Sequence, residues 1–526
     1  MAKKNLLDEA FSQWKLFLSD DQIQKDCSGR SSDNGFYIEL FLESKEQIVE
    51  VLKIASLYKI PVYPTSTGRN WAYSDSSHLK RDCVFLNLSR MNKIINFDLE
   101  LGIVTIEPGV TQDDLFLYLS KSNLPYLAPV NGSHKDSSVI GSLLERGHGI
   151  SQYLDVFNSL VSLEVILADG TYYKKPDSYI SSYSKWGVGP YVDGLFSQSN
   201  FGVVTEAAIL LAPKPEIMEV FSFGFGNEKM GSVLNCLNHL MKRFPQTISY
   251  FSVQNNRKFI TKIIPYPKEN INEAGYIDDK FIQNICLREK ISDWEVAGIV
   301  QGQGVFVEYA KKVIKKVFSN EKVKVSFLSK EEIVLLRKVK KTRKLEILQK
   351  CLTNSLGHPV VTSPVIAFWK YISNFSEEKF NSFLFSDVNP QKDKNSGIYF
   401  FTSMIPVKFS TASFFPVVEM VCKRNGFDPI MSFTNFNYPS LYFTVQIFFD
   451  KDNLEERERA SRCYRELSDS GDRFGFPIYR AHSDFMDSVV DKNDPFWQTA
   501  EKIKKALDPD NIISPGRYSS YIREEN

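Results

Sequence analysis

Three polar, glycine-bearing segments carry the residue types from which a chemical site could be built. The first is the loop Pro64-Thr65-Ser66-Thr67-Gly68-Arg69-Asn70. Small hydroxyl residues and one glycine let successive backbone N–H groups point into a common concavity, which suits a phosphate or pyrophosphate. The second is Ser138-Val139-Ile140-Gly141-Ser142-Leu143-Leu144-Glu145-Arg146-Gly147-His148-Gly149, whose three glycines let backbone approach a flat or charged ligand closely. The third, residues 190–205, is a polar turn in which Gly202 leads into the apolar run Val203-Val204-Thr205. Two common nucleotide signatures are missing. No GxxxxGK[ST] occurs, so there is no lysine placed to reach a terminal phosphate, and no GxGxxG follows a strand.

These segments must be held by a scaffold, and the chain is long enough to supply one. Its 526 residues suggest two or three domains. With 64 Lys+Arg against 63 Asp+Glu, the net charge of +1 exerts no global pull on nucleic acid or an anionic membrane. No apolar stretch reaches the roughly 18 residues of a spanning helix, and the basic start lacks a secretory pattern, so a cytoplasmic protein without membrane insertion is expected. Seven scattered cysteines without CxxC spacing suit reduced thiols. His78, His239 and His358 show no ligand spacing, and no metal site is expected.

Periodicity places the segments. YIELFL reads as a strand and SKEQIVEVLKIASLYKI as a helix, with Ser44 and Gln47 at capping-box spacing. VYPTSTGRN is a strand running into the first loop. Period-two alternation continues through SLVSLEVILADGTYYKK, and the pattern breaks near ProLysPro at 213–215. A second segment restarts at 216 with helices (EKMGSVLNCLNHLMKRF) and strands (YFTVQIFF). Its stretch 311–350 holds 14 Lys/Arg against 4 Asp/Glu. That surplus reads as the solvated face of amphipathic helices, with Phe318 and Phe327 turned to the core. The expected boundaries are 1–215, 216–470 and a C-terminal segment 471–526.

The order STGRNxxY, EPGV at 107–110, SVIGSLLERGHG and DGLFSQSNFGVVT resembles the vanillyl-alcohol oxidase and p-cresol methylhydroxylase family of flavoenzymes. Tyr479-Arg480-Ala481-His482 is similar to that family's YRxH segment, and DPDNIISPGR at 508–517 to its closing DPxxIIxPG. The resemblance covers most of the first 215 and last 55 residues and is weak across 216–395. It implies an α+β fold of two lobes: an FAD-binding domain of the p-cresol methylhydroxylase type, built from 1–215 and the returning tail, and an α+β cap over the substrate. FAD would be held by residues 64–70, Ser138, Val139, Gly141, Ser142, Glu145, Arg146, Gly149, Gly202, Val203, Val204 and Arg517. Tyr73, Tyr479 and Arg480 would clamp a phenolate, since hydroxyl donors and a cationic fork lower a phenol's pKa. The implied reaction moves hydride from a small, aromatic substrate, a para-substituted phenol or benzylic alcohol or amine, to the flavin.

The chain departs from the family's pattern in places. The acid expected before SVIGS falls on Ser133, with His134 and Asp136 nearby as substitutes for acid–base work. The covalent flavin link of many relatives falls on Ile398, or on Tyr399 if the register slips by one. Dissociable FAD is therefore expected, with a Tyr399 link as the rival. His148 reads as a polar residue facing pyrophosphate or solvent. Relatives imply a homodimer or higher oligomer. Two other readings stand beside the first: a flavin dehydrogenase whose Arg480 grips the carboxylate of a non-phenolic intermediate, and a catalytically silent flavin scaffold.

Overall fold

The computed structural model describes residues 2–25, 37–70, 72–74, 83–150, 153–176, 182–339, 343–359 and 396–519. His78 and Cys27 lie outside them. Cys236, Cys286, Cys351, Cys422 and Cys463 are free thiols.

The N-terminal part forms two sheets. In the first, β1 (Ile23–Lys25), β2 (Tyr37–Phe41), β3 (Val62–Thr65) and β4 (Cys83–Asn87) run in the order β1-β2-β4-β3. β2 and β3 lie parallel to β4, so the chain must cross over between them. The helix Lys45–Tyr58 makes that crossover and buries Ile48, Val49, Val51, Leu52 and Ala55. Ser44 caps it through Gln47 N, while the Gln47 side chain reaches back to Glu43 N, one residue earlier than a capping box requires. The second sheet is antiparallel, with β5 (Ile94–Asp98), β6 (Ile103–Ile106), β8 (Leu160–Ile166), β9 (Tyr172–Lys174) and β10 (Val203–Leu210) in the order β5-β6-β10-β8-β9. A short pair, β7 (Tyr126–Leu127) with β11 (Ala212–Pro213), closes this part.

An eight-stranded antiparallel sheet follows. Its strands are β12 (Ile217–Phe225), β13 (Ile248–Asn255), β14 (Trp294–Gly302), β15 (Ser326–Leu328), β16 (Ser396–Pro406), β17 (Ile430–Asn435), β18 (Ser440–Asp450) and β19 (Ile478–Arg480), in the order β15-β12-β14-β13-β17-β18-β16-β19. Side chains alternate faces along a strand, and here the faces differ sharply. Phe251, Phe401, Phe433, Phe443 and Val445 enter an aromatic core against the helices Met230–Arg243, Phe414–Arg424 and Leu454–Phe474. Tyr250, Ser252, Gln254, Phe400, Ser432, Thr434, Tyr442, Thr444 and Gln446 face a cavity. The helix Arg343–Ser355 packs on that second face through Leu348 and Leu352, which meet Val220 and Ile299. The basic stretch 311–350 is thus not wholly a solvated face: Lys311 pairs with Glu219, and Glu346 and Lys350 line the cavity.

The tail links the two parts. After β19 it returns to pair Ile513 in parallel with Val62, with Val62 N donating to Ile512 O and Ser514 N to Val62 O, both at 2.8 Å. A buried lysine locks this return. Lys504 Nζ donates to Asn200 O, Ile513 O and Asp508, whose carboxylate in turn accepts from Ile512 N and Ile513 N.

Candidate active site

A cavity of about 600 Å³ runs between the N-terminal part and the polar face of the large sheet. One wall is the loop 64–70, held by β3 behind it and by the returning tail beside it. Gly68 sits at φ 66°, a left-handed conformation that turns the loop and suits glycine. Among the described residues, the amides of Ser66, Thr67, Gly68, Arg69 and Asn70 donate to no protein acceptor. Facing them, Ser138 caps the short helix Val139–Leu144 through Gly141 N, and its own amide donates to Thr67 Oγ1. A Cβ added to Gly141 would lie 2.9 Å from Ser66 Oγ, so the two segments meet closely here and a side chain would have to displace that hydroxyl. Among the described residues, the buried Arg69 Nε, Ser137 Oγ and Asn200 Oδ1 have no hydrogen-bond partner, and buried polar groups in native proteins rarely go unpaired. This is a cradle built for a ligand with several acceptor oxygens.

Most of the residues expected to bind the cofactor line this cavity: 64–70, Ser138, Gly141, Ser142, Glu145, Gly202, Val204 and Arg517. Four do not. Val139 points into the core, and Val203 turns away from the cavity because strand alternation sends its neighbours Gly202 and Val204 there. Gly149 packs against Tyr153 O, and the Arg146 side chain donates to Ser197 Oγ. Glu145 also holds the tail: Arg517 and Tyr518 both donate to it. Burial opposes its charge, but Arg517 and Arg480 outweigh that and hold its carboxyl below the usual range.

The second wall carries hydroxyls and one guanidinium. Tyr73 is buried, with its hydroxyl 2.7 Å from Thr402 Oγ1 and 3.0 Å from Tyr442 OH. Burial, and then the neighbouring Tyr442, push its phenol well above the ordinary value, with Arg480 pulling the other way, so Tyr73 stays a protonated donor. Arg480 lies 3.9 Å over the Tyr73 ring and donates to Asn70 Oδ1 at 2.9 Å. Among the described residues, its Nε has no acceptor. Burial works against the guanidinium charge, but Tyr73 and Glu145 more than compensate, and it remains a permanent cation.

Several expected residues fall elsewhere. Tyr479 does not bring its hydroxyl to the cluster. It neighbours Arg480 in β19, so the two point to opposite sides, and its hydroxyl donates to Arg146 O at 2.9 Å. The second hydroxyl beside Tyr73 is that of Tyr442, which the pattern YFTVQIFF marks only as a strand residue. Tyr399 also turns away: Ile398 and Phe400 line the cavity, while Tyr399 sits on the core face with its hydroxyl on Asp484 Oδ2 at 2.9 Å. His134 and Asp136 lie behind the cavity wall, where His134 Nδ1 accepts Asp136 N and the Asp136 carboxylate pairs with Arg69. His148 is half-buried and lines the cavity. It stacks on Tyr442 with ring centroids 5.0 Å apart, its Nε2 is 2.7 Å from Asn435 O, and burial pushes it down to about 4.

Comparison with known proteins agrees with this architecture. An FAD binding domain model matches residues 38–174, and the C-terminal domain of FAD linked oxidases matches 442–518. The chain is 26% identical over 483 residues to the 4-cresol dehydrogenase [hydroxylating] flavoprotein subunit of Pseudomonas putida, covering 90% of this chain and 85% of that one. It is 26% identical over 489 residues to 1'-carboxy-chondrochloren decarboxylase of Chondromyces crocatus, covering 90% and 89%. In fold it is similar to p-cresol methylhydroxylase with substrate bound (TM-score 0.85, 23% identity, 99% and 98% covered). It is equally similar to 4-ethylphenol oxidase from Gulosibacter chungangensis (TM-score 0.86, 22% identity, 99% and 98% covered).

The chain is thus an FAD-dependent oxidoreductase. In sequence and in fold it is similar to FAD-linked enzymes of the p-cresol methylhydroxylase type. Among the described residues, the unpaired amides of 66–70 and the unpaired Arg69 Nε–H and Ser137 hydroxyl fit the pyrophosphate-bearing cofactor as donors. Among the described residues no helix is long and apolar enough to cross a membrane.

Proposed function

We propose that the enzyme oxidises a para-substituted phenol or benzylic alcohol at the carbon next to the ring, and that Tyr73, Tyr442 and Arg480 hold the phenol oxygen. The observation that carries this reading is the buried Arg480 Nε–H, unpaired at a wall already furnished with two phenol hydroxyls. A buried donor left unmade costs about 1–3 kcal/mol, so the wall is built for an acceptor that a substrate brings. A permanent cation and neutral donors favour the phenolate over the phenol. FAD supplies the hydride acceptor. The chain's own residues orient the ring, keep negative charge on its oxygen and exclude water. Similarity to a 4-cresol dehydrogenase subunit over most of both chains supports the same reading.

The cofactor is proposed to dissociate on denaturation, because the side chain facing the cavity at the tether position is Ile398, which cannot form the bond. Residues 1–215 with 471–526 hold FAD in this reading, and 216–470 forms the cap. Anaerobic mixing with 4-alkylphenols, 4-hydroxybenzyl alcohols, amines and 2-hydroxy acids tests the function. Bleaching of the flavin by the phenols supports it, and bleaching by hydroxy acids alone overturns it in favour of a carboxylate at Arg480. Flavin that stays with the acid-precipitated polypeptide would overturn dissociable binding.

A further inference from the structure

Away from the phenol wall, the same cavity holds a group of cations that the reaction does not use. Lys258, on the short helix Asn256–Ile260, and Lys262, just after it, reach the cavity from one side, and Lys350, on the helix Arg343–Ser355, reaches it from another. Lys258 is 8% exposed, and among the described residues its ammonium has no hydrogen-bond acceptor. Lys262 Nζ donates to Gln254 Oε1 at 2.6 Å. Among the described residues, the other titratable groups lining this end are Glu346, Cys351 and Tyr250, which interacts with Cys351. Among the described residues, one carboxylate therefore faces three lysines. Burying an ammonium without a partner is costly, and a solvated surface would not require it.

We propose that these lysines form a second binding subsite for an anionic group, a carboxylate, on the tail of an elongated phenolic substrate. The inference rests on the phenol reading for the other end of that substrate. Strand registry sets the length. Gln254 pairs with Ser432, Ser432 with Thr444, and Thr444 with Thr402, forming one row across four adjacent strands. At about 4.8 Å per strand the row spans roughly 14 Å. Lys262 is bonded to one end of it and Tyr73 to the other. A substrate bridging the clusters must carry its anion on the order of 10 Å from its phenol oxygen. Methylphenols and ethylphenols fall well short of that.

The titration of the site agrees. Burial, and then Lys262, push Lys258 down to about 7, and burial, and then Lys350, push Lys262 down to about 8. Both stand ready to take up protons when an anion arrives.

The test uses the FAD-loaded enzyme with 4-hydroxyphenylalkanoates of three to seven carbons, their methyl esters, and the matching phenylalkanoates that lack the hydroxyl. Affinity is read by calorimetry and by perturbation of the flavin spectrum, and turnover by anaerobic flavin reduction. The expected result is that the longer acids bind at least tenfold more tightly than their esters, and that the ratio collapses towards one in Lys258→Met and in Lys262→Gln. Equal binding of acids and esters to the unmodified protein would overturn the proposal, as would a ratio that survives in both folded variants. If the acids bind selectively through the lysines but no phenol bleaches the flavin, the anion subsite stands and the phenol reading falls.

Discussion

Replacing Arg480 with lysine separates a clamp from a mere positive charge. The guanidinium now spends one N–H on Asn70, stacks 3.9 Å above Tyr73, approaches Glu145 at 3.8 Å and leaves Nε free. Lysine keeps the charge but not the plane, so it cannot hold Asn70 and a substrate oxygen in fixed directions together. Glu145 keeps Arg517 and Tyr518 as partners, so the fold loses little. One hydrogen bond to a charged acceptor is worth about 1.5–3 kcal/mol. At tenfold per 1.36 kcal/mol, Arg480→Lys should slow flavin reduction at low phenol concentration by roughly 10- to 150-fold. The assay is anaerobic stopped-flow reduction across phenols of differing acidity. The loss should be greatest for the least acidic phenols, which depend most on the cation to ionise. If the variant keeps its FAD and melting temperature and still reduces at the parental rate, Arg480 does not touch the reacting molecule and the clamp is wrong.

Three further outcomes follow from the same geometry. Tyr73→Phe and Tyr442→Phe each remove a neutral donor worth about 0.5–1.5 kcal/mol, a loss of roughly 2- to 13-fold. Because their hydroxyls touch each other, the double variant should fall short of the product of the single effects; strict additivity in flavin-reduction rates would refute a shared oxygen. Asp508→Asn leaves the Lys504 ammonium buried without its counter-charge, which costs about 3–5 kcal/mol. It should lower the melting temperature and speed FAD loss, and a parental melting curve would remove the tail lock from the account. Lys258 sits at about 7 in the fold against an ordinary 10.5, so between those values the unfolded chain holds a proton that the native state has shed. Lys258 therefore burdens the fold most below pH 7 and less as pH rises. Lys258→Met should raise the melting temperature more at pH 6 than at pH 9, and an equal gain at both would contradict the buried, unpaired ammonium.

The glycine- and hydroxyl-bearing loops that line the cavity were legible because their signal is local. Hydroxyl and glycine residues at 64–70, following a strand, bend the backbone in one way wherever the chain goes next. The helix Lys45–Tyr58 was legible for the same reason, from its apolar spacing and the cap at Ser44. The substrate wall was harder, because which side of a strand faces the cavity depends on its neighbours in the sheet. The sequence does forbid adjacent residues of one strand from sharing a face. Tyr479 and Arg480 are such a pair, as are Ile398 and Tyr399, and that rule alone would have removed one member of each. Tyr442 carried no comparable mark, since it becomes a site residue only when β18 lies beside β16 and Thr402 comes within reach of Tyr73. The lysine group was invisible for the same reason: Lys258 and Lys350 are brought together only by the helix that packs across the sheet.

The tail explains why cofactor and substrate ends can be set with one rigid element. From β19, Arg480 reaches the substrate wall, and the backbone amide of Ser483 donates to Tyr73 O, fixing the segment that follows the loop 64–70. Further on, Ile513 adds itself to the edge of β3, the strand from which that loop departs, and Tyr63 donates to Pro515 O from the same strand. Arg517 then ties down Glu145 at the end of the helix Val139–Leu144. A displacement of residues 478–517 would therefore move the guanidinium, the amide cradle and the helix end together. Loop motion alone cannot dissociate one from another, because each is bonded to the same stretch of backbone. In this protein, the shape of the amide cradle and the placement of Arg480 are two consequences of one packing event, the docking of the tail through Lys504 and Asp508.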